Sequence, residues 1–227
     1  MRYFILIFLL ILGCNATPVD RNVVFYHLRT RSDVPQIQEI VKPGDIIFRL
    51  SNTQLFGGLI DFSKELAKAT ESDMSHAVLV YKVSEEGVIL VDVTETGVSR
   101  RFLVDWYMDP AKNVVVKRLK PEYQHIIPLI LIELEKLIES DNLYDEKFVD
   151  GDDLYYCTEI VDMCFRNIGY PLAEKMRIRD FPKSNLLFQI GCAIGGIDRD
   201  TEVVVVGNDR YGLFSSSMLE TILSFRI

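Results

Sequence analysis

Residues 152–167 of the chain read DDLYYCTEIVDMCFRN. Apolar side chains recur there at helical spacing, which predicts a helix over residues 155–167 that Gly169 ends as a left-handed cap. Cys157 lies at the start of this helix, where unpaired N–H groups and the positive end of the helix dipole favour an anion. Because the thiolate is the nucleophilic form of cysteine, the pattern indicates a reactive thiol. A buried structural cysteine is the alternative interpretation.

A second segment, residues 75–82, reads SHAVLVYK and predicts a strand that begins beside a histidine. His76 is one of only three histidines in the chain. A strand end can meet a helix start across a cleft, and a thiol nucleophile needs a base that takes its proton and delivers it to the leaving group. We therefore expect His76 to be the general base for Cys157. A hydrogen-bonded surface histidine is the alternative.

The next predicted strand offers a third group, an acid that would hold the imidazole in one tautomer. Residues 91–95 read VDVTE. Asp92 lies between two β-branched residues, and a hairpin would place it beside the strand that carries His76. Glu95 falls in the following turn, where an exposed acid is ordinary, and it remains the alternative.

The remaining patterns predict a single α+β domain, because strands cluster with helices on one side. Strands are predicted at residues 45–50, 88–93, 114–119 and 203–206, helices at 59–69 and 121–140, and a closing helix or turn at 218–225.

Five short motifs occur in an order that resembles a known family. They are residues 43–48 (PGDIIF), 72–76 (SDMSH), 91–93 (VDV) with 97–98 (GV), 144–145 (YD) and 156–161 (YCTEIV). Together they resemble the permuted papain-like hydrolases of the NlpC superfamily, in the branch of YiiX and YebB. The resemblance is close over residues 41–169 and looser up to residue 206.

This resemblance implies a circularly permuted papain-like fold, with a small antiparallel sheet or barrel packed on helices and the nucleophile at a helix N-terminus. It also implies that the histidine precedes the cysteine in sequence, as His76 precedes Cys157 here. The matching cysteine is the nucleophile of the family and the matching histidine is its base. No cofactor or metal is needed for that chemistry.

Three further positions follow from the same resemblance. The branch usually carries Glu where this chain has Asp92, so the shorter acid is a departure that leaves Glu95 open as the third group. Tyr156 resembles a residue of the site wall, and an aromatic side chain of the core is the alternative. Ser75 is expected to contact substrate with Tyr156.

The N-terminus predicts export. Residues 3–12 are apolar and uncharged, but ten residues are too few to span a bilayer, so they indicate a signal peptide. Residues 11–14 read ILGC and fit a lipobox in which Cys14 is lipidated. Cleavage of an ordinary signal peptide near Ala16 is the alternative. Asn15, which is not Asp, favours the outer membrane if the host has one.

The predicted organisation is therefore a lipoprotein signal peptide at residues 1–13, a lipidated Cys14 with a tether at 14–35, and one hydrolase domain at 36–227. The protein is expected to be a membrane-anchored lipoprotein that faces the periplasm.

The expected function is hydrolysis of a peptide or isopeptide bond, with a cell-wall peptide as the substrate. One alternative is an acyl-amide or ester hydrolase whose acyl groove is flanked by residues 55–60. Another is an envelope lipoprotein that binds without catalysis. The formal net charge of −8 argues against nucleic acid as a partner. The acidic residues at 145, 150, 152 and 153 lack the spacing of a calcium-binding loop. The sequence leaves the oligomeric state open.

Overall fold

The fold is seen in a computed structural model that describes residues 33–51, 54–55, 60–94, 97–108, 112–140, 144–145, 147–149 and 154–225. The predictions for the signal peptide and Cys14, for Glu95, and for the aspartates at 150, 152 and 153 lie outside these residues.

Strands and helices alternate irregularly along the described chain. The strands are β1 (Ile46–Leu50), β2 (Gln54–Leu55), β3 (Ile60–Asp61), β4 (His76–Ser84), β5 (Gly87–Thr94), β6 (Gly97–Phe102), β7 (Lys112–Leu119), β8 (Met176–Arg177), β9 (Glu202–Val203) and β10 (Leu219–Phe225). The α-helices are α1 (Asp33–Ile40), α2 (Phe62–Ala69), α3 (Leu103–Met108), α4 (Ile127–Glu139), α5 (Cys157–Arg166) and α6 (Leu186–Gly195). Short 3₁₀ helices span Pro121–Ile126, Ile178–Asp180 and Leu213–Ser215.

Six strands form one antiparallel sheet in the order β10-β7-β1-β4-β5-β6. The predicted hairpin of β4 and β5 is confirmed, and it lies in the half of the sheet that carries the candidate catalytic residues. The prediction of a closing helix or turn at residues 218–225 is wrong. Residues 219–225 pair with β7 instead, a partner about one hundred residues away that no local pattern reveals.

The two faces of the sheet bury different clusters, because successive residues of a strand point to opposite faces. On one face Leu79, Val91 and Val93 pack with Ile160 and Phe165 of α5. The other face is also covered by helices, although the sequence predicted helices on one side only. There Val78 and Val80 pack with Ile37 of α1 and Leu103 and Trp106 of α3.

Helix α5 is bounded much as the sequence predicts. Its N-cap is Tyr156, whose backbone N–H donates to the Glu159 carboxylate at 3.4 Å. At the other end Gly169 has a φ of +86°, a left-handed conformation that suits glycine. Helix α5 packs on β4. Cys157, the first residue of α5, therefore lies near His76, the first residue of β4.

Candidate active site

The structure brings three of the predicted residues into one chain of contacts. The Nε2–H of His76 donates to Oδ1 of Asp92 at 2.7 Å. This leaves Nδ1 as the ring nitrogen available to the Cys157 sulfur, and the imidazole and the thiol lie close enough that each shifts the pKa of the other. The backbone N–H of Ala77 also helps to lower the pKa of Cys157. The nucleophile, base and orienting acid expected from the sequence therefore meet at the start of β4.

The electrostatics of the cluster favour an ion pair. Burial disfavours the imidazolium, but the Asp92 carboxylate and the Cys157 thiolate outweigh burial and raise the pKa of His76 to about 10. Burial likewise disfavours the thiolate, yet the neighbouring imidazolium holds the pKa of Cys157 below its ordinary value. The two shifts share one cause, since His76 and Cys157 each stabilise the charged form of the other, and the Asp92 carboxylate raises the pKa of His76 further.

Asp92 is itself held in the charged form. Its side chain is only 2% exposed, and burial raises its pKa, but His76, Arg49 and Arg101 together lower that pKa below the ordinary value. Nη1 of Arg101 lies 3.4 Å from Oδ2 of Asp92. A buried carboxylate between cations is a fixed negative charge that keeps its hydrogen bond to the imidazole.

The two arginines and Trp106 are the site residues that sequence reasoning missed. The Arg49 guanidinium lies 3.9 Å from the ring centroid of Trp106 and donates to the Trp106 carbonyl at 2.7 Å. The Trp106 and His76 rings lie 6.4 Å apart. The β5–β6 register pairs Asp92 with Ser99, so Arg101 is the diagonal neighbour of Asp92. Recognising β6 would have predicted this contact.

The start of α5 is fixed by the segment that follows β9. The backbone N–H of Val204 donates to the Tyr156 hydroxyl at 3.0 Å, and the Thr158 hydroxyl donates to the Val204 carbonyl at 2.6 Å. A helix that begins at Cys157 offers first-turn N–H groups that have no carbonyl within the helix to bond. Such groups can stabilise an oxyanion that forms beside the sulfur.

A cleft with about 800 Å³ of empty space, part of it open to solvent, lies beside Cys157 and His76. The two predicted substrate contacts, Tyr156 and Ser75, both line it. The Ser75 hydroxyl also accepts the backbone N–H of Ser51 at 3.1 Å. Most of the wall is apolar, with side chains that include Phe62, Leu66, Met74, Phe148, Phe181 and Phe188.

The other two thiols of the described chain differ from Cys157 in their environment. All three are free of disulfides. Burial raises the pKa of Cys164 to about 12, and burial also raises the pKa of Cys192, which lies in the cleft wall. Among the described residues, Cys157 is the thiol with an imidazole beside it, which makes it the thiol suited to nucleophilic chemistry.

Metal chemistry has no evident site in this part of the chain. Within the residues that the structure describes, no group of three or more His, Cys, Asp or Glu side chains could hold a metal ion. Asp145 is buried, and its Oδ1 accepts the Lys147 backbone N–H at 2.7 Å.

Replacing Asp92 with Asn tests the third group. The amide keeps an oxygen that can accept the Nε2 proton but loses the charge that stabilises the imidazolium, so we expect kcat to fall about 10–100-fold. Glu95→Gln is the matched control and should change kcat by less than about 3-fold. Steady-state kinetics on both variants separate the two acids, because a large loss in Glu95→Gln with normal turnover in Asp92→Asn would reverse their roles.

Comparisons with known proteins identify the family and the fold of the chain. The family described as "permuted papain-like amidase enzyme, YaeF/YiiX, C92 family" matches residues 40–222. The chain is also similar to a solved structure, the metalloprotein yiiX from Escherichia coli O157:H7, with a TM-score of 0.67 and 22% sequence identity. That match covers 82% of this chain and 98% of the other. No curated protein matches the chain.

Proposed function

Since the chain belongs to the permuted papain-like amidases of the YaeF/YiiX, C92 family and is thus a cysteine hydrolase, we propose that it cleaves its amide substrate with Cys157 as nucleophile. In this proposal His76 is the general base and acid, and Asp92 orients His76. The observation that carries the proposal is the hydrogen bond between the Asp92 carboxylate and the His76 ring, together with the Cys157 thiol, whose pKa that ring lowers.

The reaction follows from the charges in the site. The Cys157 thiolate attacks the carbonyl carbon, and the negative charge moves to the carbonyl oxygen, where first-turn N–H groups of α5 stabilise it. The imidazolium of His76 then gives its proton to the leaving nitrogen, and the C–N bond breaks to give a thioester. Neutral His76 next takes a proton from water, the resulting hydroxide attacks the thioester, and the acid leaves while the thiolate and imidazolium return.

We propose a cell-wall peptide as the substrate and the periplasmic side of a membrane as the location. The support is the apolar N-terminal run that ends in residues 11–14, ILGC, which fits an exported lipoprotein anchored through Cys14. None of the helices in the described residues is both long and apolar enough for a membrane span.

The apolar cleft favours one alternative substrate, an N-acyl amide or an acyl ester. Phenylalanines 62, 148, 181 and 188 line the space beside the sulfur, and burial of an acyl chain against them removes apolar surface from water. Residues 55–60, predicted to flank such a groove, fall mostly outside the described residues. The third candidate, a lipoprotein that binds without catalysis, is not favoured by a thiol whose pKa is lowered by a neighbouring imidazole.

Trapping the acyl-enzyme tests the proposal and identifies the acyl group. The purified chain is incubated with a panel of muropeptides, N-acyl amides and acyl esters, quenched in acid, digested and weighed by mass spectrometry. We expect a thioester adduct on the peptide that carries Cys157 and none on the peptide that carries Cys192, which lines the same cleft. Product formed without any adduct on Cys157 would contradict covalent catalysis, and the mass of the adduct distinguishes a peptide from an acyl chain.

A further inference from the structure

Helix α6 exposes an apolar face to solvent. Leu186, Leu187, Ile190 and Ile194, called here the outer face of α6, are 71%, 50%, 37% and 56% exposed. The opposite side of the helix is buried, and there Phe188 and Cys192 line the cleft beside Cys157. The helix is therefore apolar on its buried side and on its solvent-exposed side.

The outer face also lacks the charges that accompany a solvated helix. Residues 184–197 contain no Asp, Glu, Lys or Arg, whereas a surface helix of a globular protein normally carries charged side chains opposite its core face. Helix α4 shows the ordinary pattern. Its exposed Leu129 and Ile132 share the helix with Glu133, Lys136 and other charged residues. A contiguous apolar patch of this size is often functional.

The size of the outer face discriminates between partners. Its four side chains present on the order of 400 Å² of apolar surface, about half of the ~800 Å² per partner that a stable dimer buries. Binding to a lipid surface does not require a minimum buried area of this kind. Each aliphatic side chain that enters the boundary between headgroups and acyl chains is removed from water and adds to the binding. The lack of charge further favours a partner that offers apolar tails over one that offers ion pairs.

We propose that the outer face of α6 docks on the surface of a lipid bilayer. Because the inner side of the same helix is a wall of the cleft, docking holds the site within about one helix diameter, roughly 10 Å, of the lipid. The proposed anchor at Cys14 is compatible with this, since residues 15–32 reach at most about 60 Å. The inference goes beyond the proposed function and depends on neither the catalytic roles nor the anchor.

A tryptophan placed on the outer face tests the proposal in the full-length chain. The sequence has one tryptophan, Trp106, which is fully buried and gives a constant background. Leu187→Trp places a second ring on the outer face, and Leu129→Trp places one on α4 at matched exposure, 50% against 49%. Both are mixed with dioleoylphosphatidylcholine vesicles and with vesicles of the same lipid carrying brominated acyl chains, which quench rings that enter the bilayer.

We expect the Leu187→Trp emission to shift to the blue on vesicles and to lose about half of its added intensity to the brominated chains. The emission spectrum of Leu129→Trp should not change when vesicles are added. Both variants carry the same N-terminus, so any binding to vesicles through an anchor is common to them. The difference in quenching between the two variants therefore measures contact of the outer face with the lipid.

Three outcomes would overturn the proposal. The first is that brominated chains do not quench the tryptophan emission of Leu187→Trp, and the second is that they quench Leu187→Trp and Leu129→Trp equally. The third is that the emission of Leu187→Trp is already shifted to the blue without vesicles, which would mean that a second copy or residues 1–32 cover the face. If either variant fails to fold, Ile194→Trp and Ile132→Trp repeat the comparison at 56% and 53% exposure.

Discussion

Replacing Cys157 with Ala is expected to lower kcat by about 10⁴-fold or more, because removal of the nucleophile leaves only the contributions of binding and of the oxyanion donors. The loss should appear in the chemical step, with substrate binding retained, since the alanine leaves the cleft wall in place. Cys157→Ser should be nearly as inactive, because the hydroxyl is a weak nucleophile at its ordinary pKa. Turnover is measured on the best substrate of the panel.

Cys164→Ala is the control for this prediction. Cys164 lies in the same helix, two turns further along, and is buried against the core. Its replacement should leave kcat within about 3-fold of the wild type while lowering the unfolding midpoint through the small cavity that it creates. Wild-type turnover in Cys157→Ala would rule out nucleophilic catalysis by this thiol.

Replacing His76 with Gln is expected to lower kcat/KM at neutral pH by about 10³-fold and to change its pH profile. In the wild type, activity rises with pH as Cys157 ionises, at a pH below its ordinary pKa. It falls again near pH 10, because His76 has a pKa of about 10 and above that pH no longer has the proton that the leaving nitrogen needs. The active form is therefore the thiolate with the imidazolium, and the profile is bell-shaped.

The variant changes both limbs of this profile. Without the imidazolium the Cys157 pKa returns upward, so the rising limb moves to higher pH, and without a titrating group at residue 76 the fall near pH 10 disappears. His125→Gln is the control, since His125 is an exposed residue whose Nδ1 contacts the Glu122 carbonyl at 2.9 Å, in the 3₁₀ helix before α4. A His76→Gln profile that retains the alkaline limb would assign that limb to another group.

Local patterns predicted the parts of the site that depend on short stretches of sequence. The start of α5 at Cys157, the start of β4 at His76 and the β4–β5 hairpin that carries Asp92 all follow from helical periodicity or strand alternation within about twenty residues. The place of Asp92 is also readable locally. Its neighbours Val91 and Val93 face α5, so strand alternation places Asp92 on the opposite face of the sheet.

The parts that escaped prediction depend on contacts between distant segments. The stacking of Arg49 on Trp106 joins residues 57 positions apart, and β10 is a strand because β7 pairs with it. Helix α6 was missed for another reason: it is apolar on both sides, so it lacks the polar face by which an amphipathic helix is recognised. Its exposed side is the surface that we propose for lipid.

The ionisation of Cys157 is the central claim, and absorbance at 240 nm, where thiolates absorb, measures it directly. The spectrum of Cys157→Ala is subtracted to remove Cys164 and Cys192, and the titration is repeated in His76→Gln. We expect a wild-type Cys157 pKa well below the ordinary value of about 8.5, and a return to that value or above in the variant. A wild-type Cys157 that ionises near 8.5, with no change when His76 is replaced, would contradict the account.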